Sequence, residues 1–382
     1  TATQLEYEIR FYLGDDDLPI LPFPDWETLP YDVFSPHQDI VSQRLTTLYN
    51  LPSLTRGIVI MPTATLMHRL CSRRFIEEQM FLLKVGEKLN IDDTRVRLEA
   101  TGYRCVAQVM EHGEFSVRGS IVDLYPMGSL HPFRIDLFDD EVETIRTFDP
   151  DNQRSLKTVK HIELLPAREF PLNEIGVKSF RQNFRTIFAG DPQNCSLYRD
   201  VSNAIAPAGI EYYLPLFFEQ TNTLFDYLPE SCLLLHDHML ADAADRFWAS
   251  ASDRYEQRRH DVERPVLPPT QIFLQTNEIF AKIKAFRHIE LTGDNVSTSS
   301  AAANYATHPI PSLTINARST HPLEAITTFF DDFHGGRALF AAETAGRRVT
   351  LLELFGQHDI TLKSYDSWQA FLHDDAPLGI TI

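Results

Sequence analysis

Residues 114–149 read EFSVRGSIVDLYPMGSLHPFRIDLFDDEVETIRTFD, and this stretch decides how the chain is divided. Its pattern predicts three strands joined by tight turns. Along the second strand, Phe133, Ile135 and Leu137 fall on one face, and Arg134, Asp136 and Phe138 fall on the other. On the first strand, Phe115, Val117 and Ile121 share a face and Arg118 points to the opposite one. Pairing as a meander then sets Arg118 near Arg134 and Phe138. The first face reads as core, but the second, charged face also carries a phenylalanine.

Two readings follow. The stretch holds eight acidic side chains and three arginines, Arg118, Arg134 and Arg146. Two arginines and a phenylalanine on a solvent-facing sheet are the residue types enriched at the centres of protein interfaces. Arginine forms bidentate pairs with carboxylates and phenylalanine supplies apolar area. The surrounding acids would repel nucleic acid and suit a partner with basic groups at its rim. Alternatively, a helix of the same unit covers this face, Phe138 is core, and the arginines pair with Asp136 or Asp139. Alternation alone does not choose between them.

Working outward, 382 residues allow two to four domains. The chain is 43% hydrophobic and 23% charged, ordinary for a globular protein. No apolar run approaches the roughly 20 residues that span a membrane, so no membrane partner is expected, and the pattern of a signal peptide is missing. The start, TATQLEYEIR, lacks an initiator methionine, so the chain is expected to be a fragment of something longer. The net charge of −18 argues against sequence-independent binding to DNA or RNA, which needs phosphate-neutralising cations. Cys71, Cys105, Cys195 and Cys232 are far apart and form no CxxC pair, which fits reduced thiols in a cytoplasm.

Residues 1–13 read as a helix, Pro19–Phe23 as a short strand, and 25–39 as an ordered loop rich in Pro, Asp and aromatics. Residues 40–51 show helical spacing. A buried strand at Ile58–Met61 and a helix near Thr65–Leu70 suggest a parallel α/β sheet. Near Met80 the pattern changes, and a helix at Asp92–Gly102 leads into the meander of a small α+β unit. Helical pattern returns after residue 171, with Phe180, Phe184 and Ile187 in one apolar stripe. CLLLHDH at 232–238 reads as another buried strand before a long helix. Residues 292–312 have a linker's composition. Beyond them, Leu323–Phe333 and Arg347–Leu354 read as helices, Arg337–Ala342 and Ile360–Tyr365 as strands. The expected division is a split α/β domain (1–79 and 167–291), an insert (80–166), the linker, and a small α/β domain (313–382).

Sites of chemistry are sparse. GxxxxGK[ST] is absent; Gly176-Val177-Lys178-Ser179 lacks the first glycine and reads as the opening of a helix. His236-Asp237-His238 resembles a metal pair, and so do His112 and Glu114, but neither has a third ligand at a diagnostic distance. GxSxG and HExxH are absent. Arg347-Arg348 reads as a solvated helix start. No catalytic residue, metal or cofactor is expected, which tilts the reading from enzyme toward binding module.

Four segments carry a resemblance: DWETLPYDVFSPHQDIVSQRLTTLYNLP (25–52), QVMEHGEFSVRGSIVDLYPMGS (108–129), FRIDLFDDEVETIRTFD (133–149) and PAGIEYYLPLFF (207–218). Together they resemble the N-terminal part of the bacterial transcription-repair coupling factor (Mfd) family, and more weakly the excision-repair helicase subunit UvrB. The resemblance implies a degenerate helicase-like, P-loop-NTPase-like α/β domain split by a small insert that docks on UvrA, with a second small α/β domain following. It implies that Arg118, Arg134 and Phe138 contact UvrA, with Asp136 at the rim of the same surface. It further implies a parent protein that binds RNA polymerase and duplex DNA and translocates on DNA using ATP, through regions whose motifs this chain does not show, and that masks the UvrA-binding surface until it engages polymerase. UvrB's phosphate-binding loop and tyrosine-rich hairpin have no counterpart here; the PYDVFSPHQD segment stands in the hairpin's place. The expected function is a UvrA-recruiting adaptor in the bacterial cytoplasm. The alternative is a helicase fragment that keeps some affinity for ATP or DNA.

Overall fold

The computed structural model describes residues 1–14, 16–297, 302–307, 311–315, 321–333 and 336–382. They form a mixed α/β protein with several separate sheets, in two compact units, residues 1–293 and 294–382. The linker expected at 292–312 lies partly outside the described residues.

The first unit opens with helix α1 (Ala2–Leu13), strand β1 (Ile20–Pro22) and helix α2 (Gln38–Asn50). Strand β2 (Ile58–Ile60) pairs with β1 in parallel, and short helices α3 (Thr63–Met67) and α4 (Arg73–Gln79) follow. Helix α2 buries Val41, Leu45 and Leu48 at helical spacing. Strand β3 (Phe81–Lys84) and helix α5 (Ile91–Ala100) lead into the sheet. Asn90 caps α5, its side-chain oxygen accepting from the Asp93 N–H at 3.1 Å.

The sheet has six strands in sequence order: β4 (Arg104–Cys105), β5 (Glu114–Arg118), β6 (Ile121–Leu124), β7 (Phe133–Phe138), β8 (Glu141–Phe148) and β9 (Ser155–Val159). All neighbours are antiparallel except β4 and β5. The stretch 114–149 therefore holds four strands, not three. Gly119, at φ +62°, and Ser120 make a two-residue turn that splits the expected first strand. Ile121 consequently pairs with Arg118 and shares its face, opposite to the expectation from simple alternation. Asp139-Asp140 forms the matching turn between β7 and β8, with Asp139 at φ +52°. Phe115, Val122, Leu124, Ile135 and Ile145 line the core face. They join one apolar cluster with Leu45 of α2, Ile76 of α4 and Leu98 of α5.

Strand β10 (His161–Leu164) returns to pair with β3, Phe81 opposite Leu164. Helix α6 (Glu174–Ile187) buries Phe180 and Phe184, whereas Ile187, expected in the same stripe, is exposed. Helix α7 (Ser196–Ser202) follows, and 210–217 form a buried 3-10 segment. Strand β11 (Leu233–Asp237), helix α8 (Leu240–Arg258), short helix α9 (Pro269–Ile272), helix α10 (Thr276–Ile283) and strand β12 (Arg287–Leu291) complete the unit. The expected buried strand at 232–238 is half-open. Among the described residues β11 pairs only with β12, Leu234 packs toward the core, and Leu233 and Leu235 face outward.

The second unit holds helix α11 (Glu324–Asp332), strand β13 (Ala338–Ala341), helix α12 (Ala345–Gly356), strand β14 (Lys363–Ser364), helix α13 (Trp368–Leu372) and strand β15 (Leu378–Thr381). Its parallel sheet runs β13-β15-β14, around Ile326, Phe355, Leu362 and Ile380.

Candidate protein-docking surface

Cross-strand partners share a face, so the register lays out the outer face of the six-stranded sheet in rows. Ser116, Asp123, Arg134 and Arg146 make the inner row. Arg118, Ile121, Asp136 and Thr144 make the next. Phe138 and Glu141 make the last, beyond a register shift after Asp136.

The inner row is covered at Ser116, Asp123 and Arg134, by loops rather than by a helix, while Arg146 stays 39% exposed. Residues 106–112 are tied to it where the Ser116 hydroxyl donates to the Ala107 carbonyl at 3.3 Å. Glu114 anchors the same loop, accepting from the Met110 and Glu111 N–H groups at 2.9 and 3.0 Å and from Arg104 Nη2 at 2.6 Å. Burial alone would raise the Glu114 carboxyl, but these donors outweigh it and hold it below the ordinary glutamate range. The turn at 149–154 adds Gln153, which donates to the Val109 carbonyl at 3.2 Å and accepts from Arg134 Nη1 at 3.3 Å. Phe148, fully buried, lies under the Arg134 guanidinium at 4.9 Å.

Asp123 sits at the centre. It is 1% exposed, and its two oxygens take Arg134 in a fork: Nε to Oδ1 at 2.7 Å and Nη2 to Oδ2 at 3.0 Å. Arg118 Nη2 donates to the same Oδ2 at 2.5 Å. The arginine side chains differ sharply in access: Arg118 is 54% exposed and Arg134 16%. Asp136 accepts from Arg146 Nη2 at 2.5 Å and from the Thr144 hydroxyl at 2.9 Å. Phe138 is 71% exposed, at the end of β7 beside the Asp139-Asp140 turn.

The reading in which a helix covers this face fails. Phe138 is not core. Arg118 and Arg134 pair with Asp123, not with Asp136 or Asp139. The sheet brings Arg118, Arg134, Asp136 and Phe138 onto one face, with Arg134 mostly buried within it. Simple alternation misses Asp123 because it runs Phe115, Val117 and Ile121 along a single strand. The signal was present: a turn at Gly119-Ser120 puts Asp123 opposite Arg134.

The other candidates stay scattered. Gly176 and Lys178 lie in the first turns of α6, which Asn173 caps. His238 follows the end of β11, where its N–H donates to the Leu291 carbonyl. His112 contacts Asp39 at 2.7 Å and the Ser129 carbonyl at 2.8 Å, tying the loop before β5 to the start of α2. Arg347 and Arg348 begin α12 behind the Thr344 cap. Among the described residues no group of three His, Cys, Asp or Glu could hold a metal ion. Nor, among them, is any helix long and apolar enough to cross a membrane.

Comparison with known proteins gives this surface a context. Residues 81–170 match the UvrB interaction domain family, and residues 329–382 match the MFD D3 domain family. The transcription-repair-coupling factor of Haemophilus influenzae is 44% identical over 348 residues, covering 90% of this chain and 30% of that protein. That of Escherichia coli K12 is 43% identical over 344 residues, 89% of this chain and 30% of that protein. That of Rickettsia conorii is 29% identical over 314 residues, 80% of this chain and 28% of that protein. The chain thus spans about 30% of the length of the first two relatives. On both domain matches and on the identity sustained along nearly all of its length, this chain belongs to the transcription-repair-coupling-factor family, of which it carries the UvrB-homology module and the D3 domain.

Proposed function

We propose that this chain is a UvrA-recruiting adaptor of transcription-coupled nucleotide excision repair, and that it docks through the open end of the six-stranded sheet. The observation that carries the reading is Phe138, 71% exposed on the same sheet face as the half-exposed Arg118, within residues that match a UvrB interaction domain. An apolar ring left mostly in water, on one face with an arginine that keeps unused donors, is the make-up of an interface centre. Phe138 packs at the middle of the contact. Arg118 pairs with a UvrA carboxylate. Arg134 supports the surface from below and touches UvrA only at its exposed edge, with Asp136 at the rim.

The domain reading belongs to the same proposal. Residues 1–79 and 167–291 are one degenerate helicase-like domain, 80–166 is its insert, and 313–382 is a separate small domain after the 292–312 linker. The family matches over 81–170 and 329–382 support it. The parent acts in the bacterial cytoplasm as an ATP-driven translocase on duplex DNA that releases stalled RNA polymerase, and this region supplies the link to repair.

Calorimetric titration of UvrA into the chain tests the reading, with Phe138→Ala and Arg118→Ala as variants and circular dichroism as the check on folding. The adaptor reading expects binding that both folded variants weaken. Equal binding by all three puts the recognition face elsewhere.

A further inference from the structure

We infer that Asp123 is the positioning residue of the docking surface: a buried carboxylate that holds the Arg118 guanidinium in the orientation a partner reads. The inference rests on the docking reading above and deepens it.

At 1% exposure Asp123 is out of a partner's reach, so any effect it has on docking must pass through its neighbours. It lies on β6, between β5 and β7, where the paired backbone fixes its place. Its fork with Arg134 fixes its orientation. Arg134 is in turn held by the Gln153 carbonyl and the Phe148 ring. Carboxylate and inner arginine together form a rigid base. Arg118 stands on that base through one contact, Nη2 to Oδ2. A guanidinium carries five N–H donors in a fixed fork, and among the described residues Arg118 donates through Nη2 alone. The remaining donors are available to a carboxylate arriving from outside. A long exposed arginine would otherwise lose its rotamer freedom on binding; tethering it beforehand removes that cost. The charges agree with this role. One carboxylate against two guanidiniums leaves the cluster with one positive charge, in a stretch otherwise dominated by acids.

Asp123→Asn keeps the shape but replaces one acceptor oxygen with an NH2 group, which cannot receive a guanidinium. Arg134 keeps its Gln153 and Phe148 contacts, so Arg118 is the arginine released. The test is a double-mutant cycle on the full chain, read as the Kd for UvrA, with Phe138→Ala as a reference. The expected result is about tenfold weaker binding for Asp123→Asn and for Arg118→Ala, with the double variant no weaker than Arg118→Ala alone. Phe138→Ala should keep its full effect in the Asp123→Asn background, which a general loss of fold would erode. Two further arms do not depend on Asp123→Asn folding. In the unaltered chain, NMR relaxation of the Arg118 Nε–H should report an ordered side chain before UvrA is added. Arg118→Lys should bind about as weakly as Arg118→Ala, because an ammonium cannot serve Asp123 and a partner's carboxylate in one planar fork. Full additivity in the cycle, an unchanged Kd for Asp123→Asn, a freely reorienting Arg118, or full binding by Arg118→Lys each overturns the inference. If neither Arg118→Ala nor Phe138→Ala weakens binding, the docking reading itself falls, and the inference with it.

Discussion

Two arginine–carboxylate pairs in the first unit look alike on paper and behave as opposites. Arg44 of α2 meets Glu169 with Nε on Oε1 at 2.5 Å and Nη2 on Oε2 at 3.2 Å. Its Nη1 donates to the Pro24 carbonyl at 2.8 Å, and its guanidinium lies 4.6 Å from the Phe23 ring centre and 5.2 Å from that of Trp26. Both side chains are sealed, at 0% and 3% exposure. Arg118 meets Asp123 through one nitrogen and stays half in water. Residue type does not separate a brace from a presented group. What separates them is how much hydrogen-bonding capacity the fold leaves unused, and whether it faces water.

Breaking the sealed pair is the largest test of this contrast. Arg44→Ala strands a buried carboxylate that, among the described residues, has no other ion pair. It is expected to lower unfolding stability by about 3–5 kcal/mol in chemical denaturation. Arg44→Lys should recover little, since an ammonium cannot make the fork and the stacking together. A loss below about 1 kcal/mol would mean that Arg44 is no brace, and the comparison would collapse.

Removing the exposed ring is the next test, and its sign of success is the reverse. Phe138→Ala is expected to leave stability within about 0.5 kcal/mol. It should weaken UvrA binding by about 2 kcal/mol, roughly 30-fold. Should Phe138→Ala instead unfold the chain as readily as Arg44→Ala, the open end of the sheet would be core after all.

How far these roles could be read beforehand follows from how local their causes are. Helices α2, α5 and α6 were legible because their apolar spacing and their caps lie within one segment. The core face of β7 was legible because alternation needs only the strand itself. The pairing of β3 with β10 was not, because Phe81 and Leu164 are brought together by everything folded between them. Strand β15 was missed for another reason. It is four residues long and carries Gly379, a poor strand former, yet it is the central strand of its sheet. The rings of Tyr365 and Phe371 approach so closely that a Cβ at 379 would meet them at 2.6 and 2.9 Å, so the rings fill the space a larger side chain would need. The apolar run of β11 read as buried, because a run of leucines does not say that only one neighbouring strand is present. On the outer face of the six-stranded sheet the types and the alternation of Arg134 and Phe138 were readable. The burial of Arg134 was not, since it depends on loops 106–112 and 149–154 folding over the sheet.

The smallest effect sharpens the comparison from the carboxylate's side. Glu169 is matched by a guanidinium; its neighbour Glu211 makes no such ion pair among the described residues. Glu211 lines a cavity of about 180 Å³ with Ser35, Gln38, Arg168 and Glu169, and accepts from the Ser35 hydroxyl at 2.8 Å. Burial, reinforced by the Glu169 charge and only partly offset by its own backbone N–H, Ser35 and Arg168, pushes its carboxyl up to about 7. The folded protein therefore binds this proton more tightly than the unfolded chain, whose glutamates titrate near 4.5. The stability tied to the proton is fully present below about pH 4.5 and is lost as pH rises through about 7. Glu211→Gln keeps an acceptor for Ser35 and removes the titration. Its stability relative to the parent should rise across that window, reaching on the order of 1 kcal/mol at pH 8 once partial solvent screening is allowed for. The measurement is thermal unfolding of both proteins at half-unit pH steps, and parallel curves would mean that Glu211 is as well solvated as a surface carboxylate. A widening gap would identify the unmatched acid as the cost of the same buried layer in which Arg44 and Glu169 are the brace.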